Sequence, residues 1–289
     1  MNLMVPGGRH THAARTQGHW FNTSPARSSW RAATVSGERF WEIDALRGTA
    51  VVMMVIFHTV FAMSFLGVRD IDVVEGSWRA FALVTATLFI LIAGVSIAVS
   101  SARAGPALGP WRLALKNFRR GAGIFLVGMG ITAVTWIFVR DQFVIFGVLH
   151  CIGVSVALSP LFLRFGSRNL IPGAAILLLG PFVAMVNGPL PLLWLGIHPA
   201  DFASLDYVPL VPWLGVFLLG MGLGATVYPE GKRAFPVRPG AGENLLARPI
   251  EFLGRHSLPI YLVHIPVILL VLALVVPGLG ARMASIFLP

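Results

Sequence analysis

Seven stretches of the chain are continuously apolar over nearly the length that a lipid hydrocarbon core demands: Leu46–Val68, Trp78–Ser101, Gly121–Val139, Phe143–Leu163, Leu170–Val186, Val208–Val227 and Ser257–Val276. A core about 30 Å thick takes on the order of 20 helical residues at about 1.5 Å each. The fifth stretch is the shortest and is bounded by prolines. Lipid offers backbone N–H and C=O groups no partner, so only helices and closed barrels cross it, and these windows lack the alternation of a barrel strand. The expected fold is all-α: a polytopic transmembrane bundle of about seven spans.

Composition agrees, with 56% hydrophobic and 12% charged residues, a balance foreign to a water-soluble domain. The net charge of +10 does not point to nucleic acid, because the basic residues fall in short clusters between apolar runs. Those clusters instead report topology. One side holds Arg9, Arg15, Arg27, Arg31 and Arg39, then Arg103, Arg112, Lys116, Arg119 and Arg120, then Arg164 and Arg168, then Lys232, Arg233, Arg238, Arg248 and Arg255; the other keeps only Arg69, Arg79, Arg140 and Arg282. The first side is therefore expected to be cytoplasmic, with the N-terminus inside and the C-terminus outside. Residues 1–37 read as a disordered basic cytoplasmic arm in which His10, His12 and His19 are solvated, residues 38–280 as the membrane domain, and 281–289 as a short tail. The single cysteine, Cys151, excludes an internal disulfide.

Ionisable groups inside a span are costly and so mark functional candidates. His58, His150 and His264 qualify, with Asp44 and Arg47 at the mouth of the first helix. Arg47 precedes His58 by eleven residues, three turns plus about 20°, so the two share a helix face about 16 Å apart in height. Asp44 lies on the same face and is placed to hold the Arg47 guanidinium. A purely structural reading makes Asp44 an N-cap, lets Arg47 snorkel to the headgroups and bonds His58 to a neighbouring carbonyl. Counted from the window ends, His58 and His150 lie at comparable depths and are expected to face one cavity, whereas His264 falls at a different depth. Trp213, in the proline-interrupted stretch Asp206–Trp213, is either an interfacial belt residue or part of a cavity lining. Gly215, Gly220, Gly222 and Gly224 suit close helix packing. No set of carboxylates stands at metal-ligand spacing with the histidines, so no metal site is expected.

Several segments together resemble a known family. They are Glu42–Gly48 with His58, Leu88–Ser96, Phe146–Gly153, Asp206–Trp213 and Leu253–His264, and they are similar to the bacterial relatives of the heparan-alpha-glucosaminide N-acetyltransferase catalytic domain over roughly residues 38–276. The Arg47-to-His58 spacing also resembles the motif in the first span of the wider membrane acyltransferase superfamily. The resemblance implies an integral membrane acyltransferase of the bacterial inner membrane, moving an acyl group, acetyl first among them, from cytoplasmic acyl-CoA to a glycan or other small acceptor. It implies His58, Arg47 and Asp44 as catalytic residues, His150, Trp213, Tyr261 and His264 around the acceptor, and Arg47, Arg119, Arg120 and Arg255 on the CoA phosphates. The charge of Arg119 and Arg120 is equally a topology determinant. The chain departs from its relatives at Ala62, where an acid is common, and in having no histidine between His58 and His150, so heparan itself is not the expected acceptor.

Two other functions fit the same residues: a small-metabolite transporter with His58 and His150 as a proton relay, and an inactive membrane scaffold. The oligomeric state is open at this level.

Overall fold

The computed structural model of the chain describes residues 39–237 and 247–287. The basic arm at 1–37 and Arg238 lie outside the described residues. The elements are α1 (Trp41–Phe65), α2 (Gly76–Phe138), α3 (Val148–Phe162), α4 (Leu170–Ala184), α5 (Leu210–Val227), α6 (Ala247–Arg255), α7 (Ser257–Val275) and α8 (Leu279–Phe287). Short 3-10 turns intervene at Leu163–Asn169, Leu190–Leu195 and Pro229–Gly231. Among the described residues the only β pairing is two isolated bridges, Phe146 with Tyr207 and Asn187 with His198. Five helical segments are long and apolar enough to cross a membrane: Trp41–Phe65, Gly76–Phe138, Val148–Ala184, Leu210–Val227 and Ser257–Val275.

Two of the five are broken at an internal glycine. In α2, Gly109 sits between Pro106 and Pro110 with φ 70° and ψ 170°, values that glycine alone adopts freely. The chain reverses there. Asn117 Nδ2 donates to Ser101 Oγ at 3.0 Å, whereas sixteen residues of straight helix span roughly 24 Å. The basic connection expected between the second and third apolar stretches is thus helical on both sides of one glycine, and Arg112, Lys116, Arg119 and Arg120, good helix formers, start the second leg ahead of its apolar part. The second break is at Gly166, φ 52°, where Asn169 Nδ2 donates to the Phe162 and Gly166 carbonyls at 3.0 and 2.9 Å and satisfies backbone that the turn leaves open.

α1 starts at Trp41, ahead of the apolar window, because Glu42 and Asp44 occupy its first turn and favour the positive end of the helix dipole. Its N-cap is Phe40, without a side-chain capping bond. Asp44 is therefore an interior residue of the helix and free to serve other partners. At the C-terminus, α8 covers most of the expected tail.

Glycines set the helix contacts, as small residues do where lipid removes any hydrophobic drive between helices. Gly94 and Gly220 bring α2 onto α5, Gly121 and Gly153 bring α2 onto α3, Gly173 and Gly215 bring α4 onto α5, and Gly48 and Gly254 bring α1 onto α6. The largest buried cluster, around Phe217, Leu218, Met221, Ile90 and Ile97, fills the first two of these interfaces. The helices fall into two groups: α2 to α5 pack on one another, while α6 and α7 pack on α1, which joins the larger group through α2.

Candidate functional site

At the start of α1 the Asp44 carboxylate, 4% exposed, gathers three guanidinium groups. Arg47 donates to Asp44 Oδ1 at 2.9 Å, and Arg39 and Arg255 approach Oδ2 at 3.4 and 3.5 Å. Arg47 also donates to Ser96 Oγ on α2 at 2.8 Å and reaches the Gly254 carbonyl of α6 at 3.5 Å. Its side chain thus turns inward and ties three helices together. Arg255 is paired in turn with buried Glu251 at 2.8 Å. Arg119 and Arg120, on the second leg of α2, are both exposed. Arginines outnumber carboxylates in this cluster, so it attracts anions.

A second clasp flanks the first. Arg233 grips Glu42 with two bonds of 2.7 and 2.9 Å, and Tyr228 donates to the same carboxylate at 3.0 Å. Phe40 stacks on Tyr228 with centroids 4.6 Å apart, and the guanidiniums of Arg103 and Arg233 lie over its ring at 4.2 and 4.5 Å. Burial, then the neighbouring Glu42 charge, pushes the Tyr228 phenol above its ordinary range, which leaves it a proton donor.

Farther along α1, His58 sits deep among the helices while keeping part of its surface accessible. Its ring meets His264 of α7 edge to face, centroids 4.8 Å apart. His264 is followed by Tyr261, one turn back, at 5.6 Å. His58 does bond a carbonyl, Nδ1 to Met54 O at 2.9 Å, as the structural reading of that residue expects, but a second imidazole lies beside it.

The expected pairing of His58 with His150 does not form, and the expected difference in depth between His58 and His264 does not hold. The reason is a register that window ends conceal. Gly254 of α6 packs against Asp44 and the Gly48 amide, and Gly48 against Ile250, so the chain entering α7 is level with the start of α1. His58 lies ten residues on from Gly48 within α1, the chain bends at His256 between α6 and α7, and the seven steps from Ser257 to His264 bring the second ring to the first.

His150 lies elsewhere, buried between Phe125 and Phe146 at 5.2 and 5.7 Å. Its Nδ1 accepts from the Gly147 amide at 3.1 Å, which leaves Nε2 to donate to Thr132 at 3.3 Å. Both nitrogens are thereby used, and Gly128 provides the room for the ring. Asp206 caps the same helix from outside, accepting the Val148 amide at 2.9 Å. Burial raises its carboxyl above the ordinary range, against the lowering effect of that bond. Tyr207 donates to Leu193 O at 2.8 Å, and burial pushes its phenol up to about 12. Trp213 packs into the core around Phe217.

Ser96, Glu251 and the Glu42–Arg233 clasp were not singled out from the sequence. Glu42 and Glu251 carried a usable signal, as the acids that accompany Asp44 on a side otherwise crowded with arginine.

The fold and this arrangement define a multi-helix membrane protein with an arginine-rich mouth and a histidine pair inside the bundle. A family model described as heparan-alpha-glucosaminide N-acetyltransferase, catalytic, matches residues 39–266, and the chain belongs to that family. No curated protein and no solved structure matches it.

Proposed function

We propose that the chain is an integral membrane acyltransferase that takes an acyl group, acetyl first among candidates, from acyl-CoA and passes it to a glycan or other small acceptor. The two long segments broken at Gly109 and Gly166 each cross twice in this reading, which gives seven crossings. The lysine and arginine bias then puts the N-terminus and the Asp44 cluster in the cytoplasm of a bacterial inner membrane.

One observation carries the proposal: the polar stripe of α1 faces other helices along its length, Arg47 toward Ser96 and Gly254 and His58 toward His264. Guanidinium groups match phosphate oxygens in charge and geometry. Arg47, Arg120 and Arg255 are the groups to hold CoA phosphates at the mouth, with Arg119 adding charge at the exposed edge, while the pantetheine arm, extended, reaches inward to His58. There a neutral imidazole serves as general base or as transient acyl carrier. His264 and Tyr261 line the acceptor side. His150 and Asp206 support α3 at its N-terminus.

The test is transfer of labelled acetyl from acetyl-CoA to membrane or glycan acceptors by purified protein. His58→Ala is expected to insert and fold yet transfer nothing; unchanged transfer by that variant would remove His58 from the mechanism.

A further inference from the structure

The histidine pair has a fixed hydrogen-bonding state. His58 Nδ1 lies on Met54 O at 2.9 Å, and His264 Nδ1 on Tyr261 O at 2.6 Å. A carbonyl only accepts, so in both neutral rings Nδ1 carries the proton and Nε2 presents a lone pair. The rings are 4.8 Å apart, yet two acceptors cannot satisfy each other. His264 is 6% exposed, and its Nε2 is buried without a partner. Buried polar atoms are normally matched, and His150, in the same bundle, has both nitrogens filled. Among the described residues none donates to the His264 Nε2.

Resting on the acyltransferase reading, we propose that His264 is a second catalytic group, the base that takes the proton from the acceptor's O–H or N–H while His58 faces the acyl thioester. The division follows from where each ring is attached. His58 rises from the helix face that carries Arg47, whereas His264 stands on α7 beside Tyr261. As the acceptor oxygen or nitrogen bonds to the acyl carbon, its proton moves to His264 Nε2 and the carbon–sulfur bond breaks. The CoA thiolate then takes that proton, directly or through His58, and both imidazoles end neutral. The Nδ1 bond to the Tyr261 carbonyl is kept throughout and stabilises the transient imidazolium.

Nitrogen-15 NMR of histidine-labelled, full-length protein in lipid bilayers tests the state of the lone pair without any variant in the active protein. The expected pattern is a proton on Nδ1 of His58 and His264 and on Nε2 of His150; a proton on Nε2 of neutral His264 overturns the proposal. Kinetics test the role, with acetyl-CoA as donor and glucosamine, glycerol and water as acceptor probes. In His264→Gln, acetyl-CoA binding is expected to stay within about 2-fold while kcat falls about 100-fold or more, the range of a lost general base. Added imidazole is expected to restore part of the rate in His264→Ala, a recovery that a purely structural histidine would not show. A kcat within about 3-fold of the parent, or a loss that arises wholly from weaker acetyl-CoA binding, overturns the proposal. An inactive His58→Ala beside an active His264→Gln would leave the acyltransferase reading standing and remove this inference alone.

Discussion

Substituting alanine at Gly254 tests the register that brings the two histidines together. A Cβ at that position meets the Asp44 carbonyl oxygen of α1 inside van der Waals contact, and lies 2.9 Å from the Gly48 amide. These neighbours are main chain of a helix and cannot rotate away, so α6 must move off α1, and α7 follows it. Overpacking of this kind costs about 1–3 kcal/mol. At about 2–4 °C per kcal/mol for a chain of this size, the midpoint of thermal unfolding in detergent is expected to fall by about 2–12 °C. A displacement of about 1 Å between reacting groups costs about 100-fold in rate, so acetyl transfer is expected to fall further than stability. Gly123→Ala is the control, since a Cβ there meets nothing within 4 Å; helix propensity gives it a neutral or slightly stabilising effect of up to about 1 kcal/mol. Parental unfolding temperature and parental transfer in Gly254→Ala would refute the register.

Ser101→Ala leaves the buried Asn117 amide without its acceptor across the α2 reversal and is expected to destabilise the protein by about 1–3 kcal/mol, read as a lower unfolding temperature. Arg233→Ala strands Glu42, itself only partly exposed, and removes one cation from the Phe40 ring; about 2 kcal/mol is expected in the same assay, with no change in the histidine chemistry. The raised Asp206 carboxyl makes the folded state bind a proton more tightly than the unfolded chain does, so stability falls as pH rises from the ordinary value of 3.8 toward the raised one. Asp206→Asn keeps an oxygen for the Val148 amide and is expected to flatten that fall, measured as unfolding temperature between about pH 4 and 7.

The helical class was legible because apolar length alone decides it, and each apolar window coincides with helix. The boundaries were less so. Charged residues such as Arg112 and Lys116 look like a loop by hydropathy but are strong helix formers, and only the glycine between two prolines reveals where the chain turns. At the site, the 3.6-residue period correctly put Asp44, Arg47 and His58 on one face, because that geometry lies within a single helix. Depth between helices was misjudged for His264 and His150. Contact between different helices depends on where glycines let backbones touch, and Gly48 and Gly254 set an offset that no count from window ends contains. The tautomers, too, depend on carbonyl partners that only the folded chain positions.

Equilibrium binding of acetyl-CoA to the purified protein in detergent tests the inward-facing stripe most directly. The intact protein is expected to bind, His58→Ala to bind nearly as well, and Arg47→Ala to lose about 10-fold or more in affinity, the worth of one charge-assisted contact to phosphate. Absence of binding, or binding indifferent to Arg47, would contradict a donor site at the mouth of α1.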